Sequence, residues 1–337
     1  MNTIAHDRLP IGDLLAGCTP GRVQSVGRMQ VLPLLGDAAD APTVTVPTEL
    51  RIGTSGYGTL TFANPAPTVG LVPCHLALIV DRSAQDHAMP RAALVEPSGR
   101  LTFDAAMCVQ QTQSGLIPEG PQSLAVLPLG LRAAASASSD ADGYSRLWPA
   151  VQRFNASSGL AETGNLVLFL KHFALELERF VAEFECVPDQ VGAVVLLDGE
   201  LAGIERAPSP DYWSAMWEPL IRFCYGAEAI RSGSPDPAAP PPTRTALTLP
   251  TGGGDGAAAG DPYDVLAEAL RAADAEEQRR AERALAERTG EVVATAREQT
   301  YAGVTVGRAE GERLVGAYAV GADRPIYASL TARSFGG

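Results

Sequence analysis

The sequence predicts an α+β protein: a β-rich N-terminal half built of antiparallel sheets or a sandwich, helices packed on it, and a C-terminal β-hairpin completing the domain. Three observations carry this. From Arg28 to about Arg132, short β-rich runs are broken by Gly, Pro, Asn and Asp, the spacing of consecutive strands in antiparallel sheets. In the segment "ETGNLVLFLKHFALELERFVAEFE" (Glu162 to Glu185) the apolar period changes to three- and four-residue steps, as on an amphipathic helix. From Glu291 the strand pattern returns.

The elements follow in order. The runs "RMQVLPLL", "TVTVPTEL", "YGTLTFAN", "LALIVDR", "RAALVEP", "RLTFDAAMCV" and "SLAVLPLGL" each read as a strand. In "TVTVPTEL", Val44 and Val46 share one face and Thr43 and Thr45 the other, the signature of a half-buried strand. "LALIVDR" is apolar on both faces until Asp81 and reads as a central strand. The helix of residues 162–185 carries Leu166, Phe169, Leu170, Phe173, Leu177, Phe180 and Phe184 on one stripe. "QVGAVVLLDGELAGIER" reads as a hairpin, because Asp198-Gly199 supplies the positive-φ residues of a tight turn. "SPDYWSAMWEPLIRFCYGAEAI" is a second helix, capped by Ser209 with Pro210 in its first turn and kinked at Pro219.

The domain plan is an N-terminal segment 1–21, a β-rich core with two helices at 22–231, a Pro/Gly/Ala-rich flexible insertion at 232–260, and a charged helix with closing strands of the same domain at 261–333. The insertion is too poor in bulky apolar groups to build a core. In the charged helix a stripe of Val265, Leu266, Ala269, Leu270 and Ala273 fades toward the C-terminal half. The last two strands form a hairpin about Gly321-Ala322-Asp323.

Composition restricts partners. The 337 residues are 46% hydrophobic and 19% charged, with 26 basic against 39 acidic side chains and a net charge of -13. Such a chain repels phosphate backbones and anionic lipid unless its basic groups are gathered on one face, so neither nucleic acid nor membrane is favoured. Lys171 is the only lysine, which together with abundant Ala, Gly and Pro reflects a GC-rich genome. The five cysteines are scattered in apolar runs, as free thiols of a reducing compartment are. The start lacks the pattern of a secretory signal and no run approaches 18 apolar residues, so a cytoplasmic location is expected.

Four segments resemble the ARPP family, the ADP-ribosylglycohydrolase-, rhodanese- and phosphatase-associated protein domain. "QVGAVVLLDGELAGIERAPSPDYWSAMWEPLIRFCYGAEAI" is similar to the family's hairpin leading into a helix with an "LW..L...Y...A" pattern. "AMCVQQTQSG" resembles its "CVEQGRW"-type strand, "DRSAQDHAMPRAALV" takes the place of its "G..QNR.....V" motif, and "ERLVGAYAVGADRPIYASLTA" fits its closing hairpin. The resemblance spans about Arg22 to Arg333 apart from the insertion, which implies one domain. It implies a role beside partner enzymes, in nucleotide or ADP-ribose-related metabolism or a bacterial defence-type operon. The acidic and arginine positions of the cysteine motif are Gln110, Gln111, Thr112 and Gln113 here, and "QNR" is "QDHAMPR".

Candidate binding residues are therefore Asp81, Gln85, Asp86, His87, Arg91, Cys108, Gln110 and Gln111. Cys108 would be a nucleophile if a base or helix terminus lowered its pKa, although a free cysteine in an apolar strand is more often a small buried hydrophobe. Cys74, His75, His87 and Cys108 would be soft metal ligands, but no CxxC, HxH or HExxH spacing orders them, and no metal or cofactor is assigned. The stretch "GTSGYG" lacks the lysine and following helix of a nucleotide loop and reads as a hairpin turn. No GxSxG elbow or paired-carboxylate spacing stands out. Trp213 and Trp217, four apart on one helix face, are the candidate interface should that face be exposed.

Two functional classes stand side by side. One is a non-enzymatic binding or adaptor module recognising a protein partner or a small-molecule ligand. The other is a small hydrolase or transferase whose site is assembled from Asp81, Gln85, Asp86, His87 and Cys108 at strand ends. A scaffold subunit held by the Trp213/Trp217 helix is a third reading.

Overall fold

A computed structural model describes residues 8–36, 43–79, 85–113, 115–116, 123–138, 140–233, 262–288, 291–322 and 324–335. Most of the 232–260 insertion, Asp81 and the hairpin residue Asp323 lie outside the described residues.

The protein is α+β and its frame is a ten-stranded sheet whose neighbours all pair antiparallel. The order begins Arg8–Pro10, Glu291–Tyr301, Val304–Glu310, Leu314–Gly321, Arg324–Ala332. It continues Glu200–Arg206, Gln190–Leu197, Met29–Gly36, Cys18–Pro20, with Gln24–Val26 also pairing Met29–Gly36. N-terminal, middle and C-terminal segments thus interleave in one sheet.

Alternation along its central strands explains its place. In Gln190–Leu197 every residue is buried, since Ala193, Val195 and Leu197 face one core cluster and Val194 and Leu196 another. The second face is covered by Ile11, Leu14 and Ala281, the last from the charged helix Pro262–Arg288. The polar side chains of that helix bind the neighbouring N-terminal segment: Gln278 accepts from the Val23 amide at 2.7 Å and Ser25 donates to Glu277 at 2.8 Å. Asp198 and Gly199, both at positive φ, turn the Gln190–Arg206 hairpin as their sequence requires.

On the first face lie three smaller sheets and the other helices. One small sheet has the order Met107–Cys108, His87–Ala88, Leu76–Ile79, Ser123–Val126. Leu76–Ile79 has partners on both sides, the central strand read from "LALIVDR". The others comprise Val44–Thr45, Val69–Val72 and Ala93–Val95, and Arg51–Gly56, Thr59–Ala63 and Arg100–Phe103.

The structure corrects several elements. "TVTVPTEL" is a two-residue strand, because Pro47 starts a 3-10 turn over Pro47–Glu49. Thr45 is buried there, held by the Thr68 hydroxyl at 2.8 Å. "RLTFDAAMCV" divides into two strands. "SLAVLPLGL" ends as a strand at Val126, and Leu129–Ala137 is a helix whose start is set by Pro128 and whose body is rich in alanine. Trp148–Ser157 is a further helix with Pro149 in its first turn.

The long amphipathic helix is two, Leu166–His172 and Ala174–Glu183, broken at Phe173 with φ -101 and ψ 24. The stripe continues across the break, with Phe169, Leu170 and Leu177 in one cluster, and changes core toward the end of the second helix, where Phe180 and Phe184 pack with another. Ser209 caps Pro210–Glu218 by accepting from the Tyr212 amide at 3.2 Å. At Pro219 this helix passes into a π-helical segment, Pro219–Gly226, since proline lacks the amide that would continue the α ladder.

Candidate functional site

The sequence-derived cluster forms at the small sheet around His87–Ala88. Register places His87 opposite Cys108 and Ala88 opposite Met107. The Val109 amide donates to the Asp86 carbonyl at 2.9 Å, while the Cys108 amide goes to Tyr144 at 2.7 Å. His87 and Cys108 are therefore a non-hydrogen-bonded pair, where facing side chains stand closest. Continuing the alternation brings Gln85 and Gln110 to the same end of the ladder.

Both reactive groups are already engaged. His87 donates from Nδ1 to the Gln85 carbonyl at 2.7 Å and accepts at Nε2 from the Gly58 amide at 3.1 Å. These partners fix the neutral imidazole, and burial lowers its pKa against the pull of the Gln85 carbonyl. Gly58 can approach because it has φ 75 and no side chain; a Cβ there would lie 2.7 Å from Tyr144 Cβ. The Cys108 thiol donates to the Gln110 carbonyl and its sulfur accepts from the Gln110 amide, both at 3.4 Å. Burial pushes this thiol up, opposed by the Gln110 amide that donates to its sulfur and by the nearby Trp148 indole. The arrangement stores a neutral histidine beside a protonated thiol, the opposite of a thiolate–imidazolium pair.

The glutamine tract is tied to the entry of the helix Leu166–His172. Gln111 accepts from the Gly164 amide at 3.0 Å, the Thr112 amide donates to Asn165 at 3.2 Å, and Asn165 donates to the Thr112 hydroxyl at 3.0 Å. Gln85, Asp86 and Gln110 are buried, and the side-chain oxygens of Gln85 and Gln110 have no hydrogen-bond partner. Arg91 is apart from this ladder, pairing Asp140 at 2.7 Å and lying 4.8 Å over the Phe103 ring. Asp81 lies outside the described residues.

Trp213 and Trp217 are 2% and 7% exposed, with ring centroids 5.8 Å apart. The exposed face on which an interface depended does not exist in this chain, because both indoles face the main core. Among the described residues no group of three or more His, Cys, Asp or Glu side chains is gathered for a metal ion. Cys74 and His75 do not alternate across a strand, since His75 turns the chain at φ 63. Nor is any described helix long and apolar enough to cross a membrane.

A second polar centre, absent from the sequence reading, lies where helix Leu129–Ala137 meets the large sheet. Arg132 Nη1 donates to Glu205 Oε1 at 2.6 Å, and the Tyr225 hydroxyl donates to the same oxygen at 2.7 Å. The Arg132 guanidinium lies 5.8 Å from the Tyr225 ring centroid. Tyr327 accepts from the Cys74 amide at 2.9 Å, and burial pushes Cys74 and Cys224 up to about 12. The signal in the sequence is Glu205 itself: at its register in a strand buried on both sides, an ionised carboxylate requires a buried cation.

No curated protein and no solved structure matches the chain. One family model does, over residues 17–331, and by it this chain belongs to the ARPP-1 family, the ARG and Rhodanese-Phosphatase-superfamily-associated Protein domain.

Proposed function

We propose that this chain is a non-enzymatic binding or adaptor module that works beside partner enzymes, with the ladder end at Gln85 and Gln110 as its ligand edge. The observation that carries this is the engagement of His87 and Cys108: each faces the other, yet each already spends its reactive atom on backbone groups. What the edge still offers is amide oxygen, buried and unpartnered, at Gln85 and Gln110. Amides hold ligands by hydrogen bonds and cannot serve as acid or base. The family's name, recording association with ARG and rhodanese-phosphatase proteins, fits a chain that acts with others. Chemistry related to nucleotides or ADP-ribose is the ligand class this reading favours.

Thermal-shift measurements with ADP-ribose, NAD, nucleotides and divalent cations test the reading. A ligand present at a hundredfold excess over its Kd adds about 2.7 kcal/mol to the folded state. The expected result is a rise in Tm with one such ligand, lost in Gln85→Leu and Gln110→Leu, with the ligand recovered unchanged. Conversion of the ligand, abolished by Cys108→Ala, would instead establish the hydrolase or transferase reading, which the facing of His87 and Cys108 favours.

A further inference from the structure

Orphaned donors converge elsewhere. A cavity of about 20 Å³ lies between the helix Pro210–Glu218, the helix Leu129–Ala137 and the strand Arg324–Ala332, and Arg132, Trp213 and Ser329 are among its lining residues. Each of the three is at most 2% exposed, and each carries a polar atom without a partner: Arg132 Nε and Nη2, Trp213 Nε1 and Ser329 Oγ. Three separate elements line one cavity with these residues. A buried donor left unpaired costs about 1–3 kcal/mol, so three residues unpaired together would be an expensive coincidence.

We propose that this cavity is a binding site for one water-sized hydrogen-bond acceptor, held by Arg132, Trp213 and Ser329. Its volume exceeds the roughly 10–15 Å³ that one water requires. Every unpartnered group is a donor or, in the serine hydroxyl, either a donor or an acceptor. An occupant that accepts from Arg132 and Trp213 and exchanges a hydrogen bond with Ser329 fits that set. Water is favoured over a halide by charge: Glu205 already balances Arg132 at 2.6 Å, so an added anion would be buried without a counter-charge. The occupant adds the helix Pro210–Glu218 to the direct link that Arg132 and Glu205 already make between the helix Leu129–Ala137 and the large sheet.

Crystals of the full chain grown in sodium chloride, and a second set soaked in sodium bromide, test this. The expected result is one density peak within about 3.2 Å of an Arg132 nitrogen and of Trp213 Nε1, without bromine anomalous signal. A bromide peak there would uphold the acceptor site and identify its occupant as a halide. A cavity without density in both crystals, or donors turned to pair with one another, would overturn it. In a Trp213→Phe/Ser329→Ala double variant the peak should disappear while the Arg132–Glu205 pair persists; an unchanged peak would remove these donors from the site.

Discussion

Arg132 and Glu205 form an ion pair at 2.6 Å whose side chains are 1% and 5% exposed. It fastens the helix Leu129–Ala137 to the strand Glu200–Arg206 in the middle of the large sheet. Removing one partner of such a pair strands the other charge, at a cost of about 3–5 kcal/mol, whereas replacing both by apolar groups is often neutral. Arg132→Met and Glu205→Leu should each lower the unfolding free energy read from urea titration by that amount, and the double variant should recover most of it. Equal losses in all three proteins would show that the pair is not the origin of the effect.

Gly203 makes room for the third member of that centre. A Cβ at this position would lie 2.3 Å from the Tyr225 hydroxyl oxygen and 2.9 Å from the Leu330 carbonyl. Gly203→Ala must displace the hydroxyl that donates to Glu205, an overpacking cost of about 1–3 kcal/mol. Since both changes act on one hydroxyl, Gly203→Ala and Tyr225→Phe should couple in a double-mutant cycle. Strict additivity of the two stability losses would count against the displacement.

Legibility of this protein followed the range of the interactions. Asp198-Gly199, the Ser209 cap and the closing strands are local chemistry, and each stands as the residues require. The helices Leu129–Ala137 and Trp148–Ser157 were hidden, because "LPLGL" has a strand's apolar density and the Ser/Ala/Asp run between them resembles a loop. The break at Phe173 was invisible, since the apolar stripe continues through it, with Phe169 and Leu177 on either side in the same core. Of the site, register alone decides that His87 meets Cys108. Their engagement with Gly58, Gln85 and Gln110 depends on neighbours that no spacing announces. Arg132 and Glu205 are 73 residues apart, and nothing local at either position names the other.

Thiol chemistry separates the five cysteines. Cys74 and Cys224 are buried with pKa values pushed up to about 12, and burial also raises Cys108. At pH 8 a thiol of pKa 12 is thiolate in about one molecule in ten thousand. Cys18 and Cys186 are half-buried, so reagent can reach them. Iodoacetamide on the native protein should label Cys18 and Cys186 first, and the other three only on unfolding, as read by peptide mass spectrometry. Fast labelling of Cys108 would restore it as a nucleophile.

Acid sensitivity should come from two buried imidazoles. Burial lowers the pKa of His87 from 6.5, and at His75 burial together with the charges of Arg132 and Arg308 lowers it further. His75 is also held through Nε2 to the Ser136 hydroxyl at 3.2 Å. With folded values below unfolded ones, the unfolded chain binds more protons as pH falls. Their contribution is therefore complete above about pH 6.5 and declines below it, by about 1.4 kcal/mol per pH unit for each histidine, until the folded pKa is reached. The urea midpoint should fall between pH 7 and pH 5.5, before most carboxylates titrate. His75→Asn keeps a residue that tolerates the left-handed φ of 63, and combined with His87→Asn it should flatten the profile across that window. A slope unchanged in the double variant would place the acid sensitivity on other groups.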